Sequence, residues 1–326
     1  MKQKINKIAV FTSGGDSPGM NACIRSIVRA ANYYKKETTG IMHGYDGMIK
    51  GEFMQLDSSS VQNIIQRGGT ILKTSRSKEF MTAKGMSIAY EQLIKNNIDG
   101  LIAIGGDGTF RGAVEFNKKF KIPFMGIPGT IDKDLFGTDY TLGFDTATNT
   151  AIEAIDKIRD TAASHDRLFF VEVMGRDTGY IALWSGIAAG AEEILLPETK
   201  TSFNALVKLL KERKAKNKSS IVIVAEGDEA GGALKIAERV RKKIPEYDTR
   251  VTILGHIQRG GAPSCLDRIM GTQFGITAVE ALINDESNKM VGSLNNKICF
   301  IDLNKAVKGH TPPDKNLLRY QRILAS

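Results

Sequence analysis

The chain of 326 residues has few of the features that mark several protein classes. Its three cysteines, Cys23, Cys265 and Cys299, form no CxxC pair, so neither a disulfide framework nor a zinc site is expected. The longest apolar stretch, 181–191, is too short to span a bilayer. No basic stripe is interleaved with aromatic residues, as nucleic-acid binding would require. With no recognisable signal peptide, these absences predict a cytoplasmic protein without a membrane or nucleic-acid partner.

The composition is otherwise that of an ordinary globular protein, with 42% hydrophobic and 25% charged residues. The formal net charge is +9, from 45 Lys+Arg against 36 Asp+Glu, a balance that suits anionic metabolites. Two short basic clusters, 211–218 and 239–243, are interpreted as solvated helix faces. A chain of this length favours two domains.

Strand-like apolar runs alternate with helical stretches along the chain. Strands are predicted at 8–11, 101–104, 122–127, 168–173, 221–225 and 251–254, and helices from Met20, at 109–119 and at 148–161. This alternation predicts α/β architecture, with parallel sheets between layers of helices. Ligands of such sheets bind beyond the carboxyl ends of the strands. Gly231-Gly232 and 284–288 are interpreted as loops.

A glycine-rich pentapeptide, Gly-Gly-Asp-Gly-Thr at 105–109, follows the apolar run 100–104 directly. Its glycines let the backbone approach a ligand closely, and Asp107 places a carboxylate beside them. This combination suits a nucleotide phosphate with its Mg²⁺. A tight turn with a solvated aspartate is the structural alternative.

Two further loops follow predicted strands. The segment 12–21 is neither a Walker A loop nor a GxGxxG motif, and an anion site and a structural turn are equally good interpretations of it. The segment 128–134 offers Asp132 and Asp134 beside a threonine hydroxyl. Phosphoryl transfer to an alcohol needs a carboxylate that takes the hydroxyl proton, a role that suits Asp132. Asp107, alone or with Asp134, suits the metal.

Four arginines near predicted strand ends, Arg167, Arg176, Arg250 and Arg259, suit a phosphorylated acceptor. The planar guanidinium offers several donors to a phosphate group. Any one of them alone would more often be structural, but four together favour binding.

Eight segments together carry a family resemblance: 12–21, 67–72, 104–109, 128–132, 137–147, 171–180, 224–227 and 249–261. Through them the chain resembles the bacterial ATP-dependent 6-phosphofructokinase family along nearly its whole length. The resemblance implies MgATP-dependent phosphorylation of fructose 6-phosphate at its 1-hydroxyl, giving fructose 1,6-bisphosphate and ADP, the committed step of glycolysis. It implies two three-layer α/β/α sandwich domains with mainly parallel sheets, facing each other across a cleft. The expected ATP-binding domain is 1–142 with 257–306, and the expected fructose-6-phosphate domain is 143–256 with 307–326.

The resemblance also implies residue roles, with Asp132 as proton acceptor and Asp107 as the Mg²⁺ ligand. The implied catalytic residues are Gly15, Thr130, Asp132 and Arg176. The implied nucleotide site is Gly15, Arg76, Ser77, Gly106, Asp107, Gly108 and Thr109. The implied sugar-phosphate site is Thr130, Ile131, Asp132, Arg167, Met174, Gly175, Arg176, Glu226, Arg250, His256, Ile257, Gln258 and Arg259. Arg167 and Arg250 match arginines that, in the family, reach in from a neighbouring subunit, so a homo-oligomer is expected, in the family a tetramer.

The resemblance bears on the phosphoryl donor as well. Pyrophosphate-using relatives carry an aspartate where this chain has Gly108 and a lysine where it has Gly129. Side chains there would fill the space that the α-phosphate and nucleoside need. Both glycines therefore predict ATP rather than pyrophosphate as the donor.

An effector site for ADP or phosphoenolpyruvate is implied less fully. Its matching residues are Arg25, Arg29, Arg159, Glu192, Lys216 and Lys218. Ser58 stands where many members have an arginine, and Ser220 where some have a histidine. Because a missing phosphate-binding side chain weakens effector binding, we expect reduced or altered allostery.

One further residue departs from the family pattern, and two alternative functions are considered. Lys133 stands where the family usually has asparagine; it could stabilise a neighbouring carboxylate or point away from it. The alternative functions are a kinase of another acceptor, such as NAD or a lipid, and a sensor without catalytic activity. The joint presence of Asp107, Asp132 and Arg176 argues against the sensor.

Overall fold

The chain forms two β-sheets that belong to two separate units. The computed structural model describes residues 5–200, 202–309 and 312–324. The strands are β1 Lys7–Ser13, β2 Glu37–Ile41, β3 Phe53–Leu56, β4 Gly100–Gly105, β5 Phe124–Pro128, β6 Leu168–Val173, β7 Glu193–Leu195, β8 Ser220–Ala225, β9 Thr249–Ile253, β10 Lys289–Leu294 and β11 Lys297–Asp302. The α-helices are α1 Met20–Tyr33, α2 Gly44–Lys50, α3 Ala83–Lys95, α4 Asp107–Phe120, α5 Phe144–Ser164, α6 Tyr180–Ala188, α7 Phe203–Ala215, α8 Gly232–Arg241, α9 Cys265–Ile283, α10 Leu303–Lys308 and α11 Lys315–Leu324. Short 3₁₀ helices lie at Glu79–Met81 and Gly255–Arg259.

The first unit comprises the described parts of Met1–Asp145 and Arg259–Thr311. Its seven-stranded sheet has the order β11-β10-β5-β4-β1-β2-β3, parallel except for the two outermost strands. Side chains of β1 alternate between the faces: Ile8 and Val10 pack in one core with α1 and α9, and Ala9 and Phe11 in the other with α2, α3 and α4. The sheet is thus buried between two layers of helices.

The second unit comprises the described parts of Thr146–Gln258 and Pro312–Ser326. Its four strands are all parallel, in the order β7-β8-β6-β9. Leu168 and Phe170 face a core formed with α7 and α8, while α6 packs on the other face, where a Cβ on Gly186 would lie 3.4 Å from Ile223 Cγ1. The prediction of two three-layer α/β/α sandwiches with mainly parallel sheets is therefore confirmed.

The predicted strands and helices are all present, and β6 has the predicted ends. The strand expected at 122–127 begins only at Phe124, because Pro123 cannot donate to a ladder. The loop expected at Gly231-Gly232 is wrong for Gly232, which begins α8. That helix start is capped from β6, since the Ala233 amide donates to Glu172 Oε2 at 2.8 Å.

The interpretation of the basic cluster 239–243 as a solvated face is confirmed, because its four basic residues are exposed, although two of them also make contacts. Arg241 donates to the Thr249 carbonyl at 2.8 Å, and the Arg239 guanidinium lies 4.0 Å from the centroid of the Phe203 ring. These arginines hold α8 against neighbouring elements.

Within the ranges that the structure describes, no helix is both long and apolar enough to cross a membrane.

Candidate active site

Three loops leave the same edge of the seven-stranded sheet, because β1, β4 and β5 are parallel neighbours. Gly105 at the end of β4 pairs with Ser13 of β1 on one side and with Pro128 of β5 on the other. Thr109 donates its hydroxyl to the Ser13 carbonyl at 3.0 Å, which joins the β4 loop to the first loop. A Cβ on Gly106 would lie 3.5 Å from the Thr130 Cβ, so the second and third loops are also in contact.

Asp132 is fixed in the loop after β5 and is only 7% exposed. Its amide donates to Thr130 Oγ1 at 3.1 Å, and the Thr130 hydroxyl donates to Asp134 Oδ1 at 3.4 Å. The Arg259 guanidinium supplies a positive charge, with Nη2 4.0 Å from Asp132 Oδ1. Ile131 beside it is fully buried. The loop thus presents one carboxylate in a defined orientation, as a proton acceptor requires.

Arg259 lies against the first loop, where Gly15 makes room for it. Its Nη1 donates to the Asp16 carbonyl at 3.2 Å, and a Cβ on Gly15 would lie 2.6 Å from the same nitrogen. The absence of a side chain at Gly15 therefore permits this close approach. The guanidinium bridges the first and third loops.

Asp107 is the first residue of α4, where a negative charge complements the helix dipole. Arg111, one turn later, places Nε 2.9 Å from Asp107 Oδ1 and 2.8 Å from Oδ2. This contact raises the pKa of Arg111 above its usual range. Among the residues described, no three His, Cys, Asp or Glu side chains cluster as a metal site. A Mg²⁺ ion at Asp107 would therefore complete its coordination with phosphate oxygens and water, which is its usual behaviour.

Gly108 and Gly129, the two glycines that predict ATP rather than pyrophosphate as the donor, have different surroundings. A Cβ on Gly108 would meet nothing within 4 Å, so this position borders open space. A Cβ on Gly129 would instead lie 2.9 Å from Ile104 Cγ2 and 3.1 Å from Met20 Cε. A Cβ at Gly129 thus points into the core, and the expectation that a longer side chain there would fill nucleotide space stays a prediction.

Two other nucleotide-site candidates and Lys133 lie nearby in the first unit. Arg76 is exposed, and Ser77 accepts from the Phe80 amide at 3.2 Å. Lys133 adopts a left-handed backbone with φ 53°, a region that favours asparagine over lysine. Its ammonium lies 5.1 Å from the centroid of the Phe144 ring, a cation–π distance.

In the second unit, the loops after β6 and β8 meet at the carboxyl edge of the four-stranded sheet. The Arg176 amide donates to Glu226 Oε2 at 3.2 Å. A Cβ on Gly227 would lie 2.1 Å from the Arg176 carbonyl oxygen, so the two loops are tightly packed. Arg176 has φ 54°, a strained conformation for a non-glycine residue, and its side chain is 67% exposed beside Asp177.

Residues 174–175 and 256–258 occupy the same carboxyl edge. Met174 and Gly175 continue directly from β6, and the 3₁₀ helix Gly255–Arg259 follows β9. His256 and Ile257 are exposed, whereas Gln258 is buried and donates to the Gly255 carbonyl at 3.1 Å.

The amino edge of this sheet holds a second arginine cluster. Arg167 directly precedes β6 and its Nε contacts Asp248 Oδ2 at 2.6 Å, while Arg250 Nη2 contacts Asp248 Oδ1 at 3.1 Å. The Arg167 hydrogen bond, assisted by Arg250, lowers the pKa of Asp248. The length of β6, roughly 20 Å, separates this pair from Arg176. One chain thus does not bring Arg167 and Arg250 to the same ligand as Arg176.

Four of the predicted effector residues surround one cavity of the second unit or lie beside it. The cavity holds about 230 Å³ and is lined in part by Glu192, Lys216 and Lys218. Arg159 contacts Glu192 at 3.7 Å and donates to the Ala189 carbonyl at 2.7 Å. In the first unit, Arg25 and Arg29 lie one turn apart on α1, and Ser58 accepts from Asn32 at 3.2 Å.

Sequence reasoning missed Arg213, which lies in the basic cluster 211–218. Its Nη2 donates to Glu192 Oε1 at 2.8 Å and its Nε donates to the Ser220 hydroxyl at 2.8 Å. Tyr247 also contacts that hydroxyl, at 3.0 Å. The helical spacing of the cluster suggested solvent exposure, and no signal along the chain marked Glu192 as its partner.

The chain thus combines two three-layer α/β sandwiches with glycine-rich loops and carboxylates at the carboxyl edge of the larger sheet. A family model described as Phosphofructokinase matches residues 7–282, and the chain belongs to this family. It is 52% identical over 323 residues to "ATP-dependent 6-phosphofructokinase 1" of Thermus thermophilus, covering 98% of this chain and all of that protein. It is 50% identical over 315 residues to the "ATP-dependent 6-phosphofructokinase" of Cytophaga hutchinsonii, covering 96% of each.

Solved structures share the fold. Pichia pastoris phosphofructokinase in the T-state is 38% identical with a TM-score of 0.86, over 93% of this chain and 35% of that longer chain. A pyrophosphate-dependent phosphofructokinase from Marinobacter aquaeolei has a TM-score of 0.85 at 20% identity, over 99% of this chain and 92% of the other. At that identity the likeness concerns the fold alone.

Proposed function

We propose that the protein transfers the γ-phosphoryl group of ATP to the 1-hydroxyl of fructose 6-phosphate, giving fructose 1,6-bisphosphate and ADP in glycolysis. The observation that carries this proposal is the convergence of the β1, β4 and β5 loops, with Asp107 and the fixed Asp132, at one sheet edge. Relatives about half identical over nearly the whole chain carry the name of this activity. The site and the relatives therefore support the same reaction.

Asp132 is the proposed proton acceptor. The sugar hydroxyl is a poor nucleophile, and its proton must leave as the bond to phosphorus forms. The bonds through Thr130 orient the loop that carries this carboxylate. Arg259 beside it offsets the charge of the carboxylate and is proposed to contact the 6-phosphate of the sugar.

The proposed nucleotide site lies along the first and second loops. Gly106, Gly108 and Thr109 offer backbone at the start of α4, where amides and the helix dipole favour phosphate, and Gly15 offers backbone in the first loop. The Thr74 hydroxyl donates to the Gly14 carbonyl at 2.7 Å, so the segment that carries Arg76 and Ser77 contacts the first loop. Asp107 would hold Mg²⁺, which neutralises charge on the phosphoryl oxygens when bound. Gly108 borders open space, which supports ATP rather than pyrophosphate as donor.

Arg176 and Glu226 are the proposed second-unit contributions at the carboxyl edge. Arg176 would stabilise negative charge on the transferred phosphoryl group, and Glu226 would accept from sugar hydroxyls. Met174, Gly175, His256, Ile257 and Gln258 lie in adjoining loops and are proposed to line the sugar-phosphate site.

Arg167 and Arg250 are proposed to serve the site of a neighbouring subunit. They occupy the opposite sheet edge from Arg176, which supports a role in a different copy of the site. A homo-oligomer, and in keeping with the family a tetramer, would then be the active form.

The cavity at Glu192 is the proposed effector site for ADP or phosphoenolpyruvate. Arg213 already pairs with Glu192 and Ser220, which supports a weakened or altered response. Arg159, Lys216 and Lys218 would be its phosphate-binding side chains, and Arg25 and Arg29 are proposed to come from a neighbouring subunit, because the family's effector site lies at a subunit interface. The three cysteines are unpaired, which accords with the reducing cytoplasm in which we place the enzyme.

A donor and acceptor screen of the purified protein tests the proposal. ATP or pyrophosphate is offered as donor, and fructose 6-phosphate, NAD or a diacylglycerol as acceptor, with release of each product followed directly. We expect turnover with ATP and fructose 6-phosphate, at least about 100-fold faster than with any other pair. Turnover only with pyrophosphate, or only with another acceptor, would contradict the proposal.

A further inference from the structure

The contact between Arg111 and Asp107 lies at the centre of the proposed nucleotide site and has no assigned role there. Nε of Arg111 is nearly equidistant from the two carboxylate oxygens, at 2.9 and 2.8 Å. The guanidinium therefore covers the carboxylate that would face the cation. Metal and arginine would compete for the same two oxygens.

Most of the Arg111 guanidinium remains available to a ligand. The side chain is 65% exposed, and its two Nη groups have no hydrogen-bond partner within the described part of the chain. These groups carry four N–H donors in a planar fork, which matches phosphate oxygens. Gly108 borders open space on the same helix turn.

The charges of Asp107, Arg111 and ATP predict how the contact between the two side chains affects nucleotide binding. Without a divalent cation, the phosphate chain of ATP would meet the negative carboxylate of Asp107, and like charges repel. Arg111 neutralises that carboxylate and adds donors toward the phosphates. Once a divalent cation occupies Asp107, the cation itself supplies the neutralising charge. Removal of Arg111 should therefore weaken the binding of free ATP more than the binding of MgATP.

We propose that Arg111 sets the preference of the nucleotide site between free ATP and MgATP, by neutralising Asp107 until a cation takes its place. This inference rests on the proposed function, because it assumes that ATP binds at the β4 loop. It makes Arg111 a residue that positions and balances Asp107, rather than a catalytic residue.

The test measures ATP dissociation constants by calorimetry on the full-length protein, once with excess Mg²⁺ and once with EDTA. We expect Arg111→Met to raise the ratio of the metal-free to the Mg²⁺ dissociation constant by about fivefold, the upper range for an exposed ion pair. Arg111→Lys retains a cation at the same helical spacing and should keep the ratio within about twofold of the wild-type value. Lys118→Met removes another exposed ion pair of α4, with Glu115, and should leave the ratio unchanged.

A double variant isolates the electrostatic cause. If repulsion by Asp107 weakens metal-free ATP binding in Arg111→Met, then Asp107→Asn in the same chain should restore most of that affinity. An unchanged ratio in Arg111→Met, or no recovery in the double variant, would overturn the inference. Failure of the wild-type chain to bind ATP at all would overturn the proposed function as well, so the two failures are distinguishable.

Discussion

The functional groups of the two units are held in contrasting ways. In the first unit, Asp132 is buried, and its loop is hydrogen-bonded to itself and joined to neighbouring loops. In the second unit, Arg176 is 67% and Arg250 53% exposed, and their ion-pair partners Asp177 and Asp248 are exposed aspartates. The proposed proton acceptor is thus fixed before ligands arrive, whereas Arg176 and Arg250, two proposed phosphate-binding arginines of the second unit, are exposed side chains with room to adjust.

This contrast follows from the chemistry that each group is proposed to perform. Proton transfer in the transition state requires a short, aligned contact, so its acceptor gains from a rigid setting. An arginine can engage a phosphate in several orientations and tolerates motion. We therefore expect substitution of Asp132 to act on kcat alone, whereas substitutions of second-unit arginines should also change the KM for fructose 6-phosphate.

The largest expected effect is that of Asp132→Ser. Loss of the proton acceptor should lower kcat by about 10²–10⁴ and leave the KM for fructose 6-phosphate roughly unchanged. Steady-state kinetics measure both values, and a thermal melt checks the fold. Glu91→Gln, an exposed change on α3, serves as control. An unchanged kcat would remove Asp132 from this role.

Arg176→Met tests the kinetic role of an exposed arginine of the second unit. Removing a cation from the transferred phosphoryl group should lower kcat by about 10²–10³, with a smaller change in KM. Arg176→Lys should recover part of the loss, because it keeps the charge without the planar fork. A change confined to KM would mean that Arg176 only binds the sugar phosphate.

Arg250→Ala tests whether the amino-edge cluster serves another subunit. Loss of a charge-assisted hydrogen bond should raise the KM for fructose 6-phosphate by about 10- to 100-fold, with kcat within about threefold. Differently tagged Arg250→Ala and Asp132→Ser chains are co-expressed and the hybrids purified through both tags. In a hybrid, the Asp132→Ser chain supplies an intact Arg250 to the site of the Arg250→Ala chain, which retains Asp132. A class of sites with the wild-type KM for fructose 6-phosphate should therefore reappear. Hybrids that behave as the sum of the two variants would place Arg250 in the site of its own chain.

The smallest effect concerns the pH dependence of stability at Asp248. Its pKa is lowered in the folded protein, so its ion pairs stabilise the fold above the unfolded pKa of about 3.9 and are lost as pH falls below it. The Tm of the wild type should exceed that of Asp248→Asn by about 2 °C or less at pH 6, with the difference closing toward pH 3. Asp156→Asn, an exposed aspartate of α5, should show no such trend. A constant difference across this range would contradict the assignment.

The sequence predicted the parts of the fold that rest on strong local patterns. Uninterrupted apolar runs located β4 and β6, and a helical pattern located α1 from Met20. The antiparallel edge strands β3 and β11 were not predicted, because both are mostly exposed and so lack a buried apolar run, and β3 has only four residues.

The candidate site was predictable where function depends on residues next to a strand end. Loops after parallel neighbours must meet, which brings Asp107 and Thr130 to one edge. The orientation of side chains was not predictable: the core-facing Cβ direction of Gly129 and the pairing of Arg213 with Glu192 depend on tertiary packing. The contact of Arg111 with Asp107 is different, since i,i+4 spacing on a helix already predicts such a pair.

A crystal structure of the complex with a non-hydrolysable ATP analogue, Mg²⁺ and fructose 6-phosphate tests the central claim most directly. We expect the cation on Asp107, and the sugar 1-hydroxyl within about 2.6–3.2 Å of the Asp132 carboxylate and facing the γ-phosphate. A nucleotide bound away from the β4 loop, or a 1-hydroxyl far from Asp132, would contradict the account.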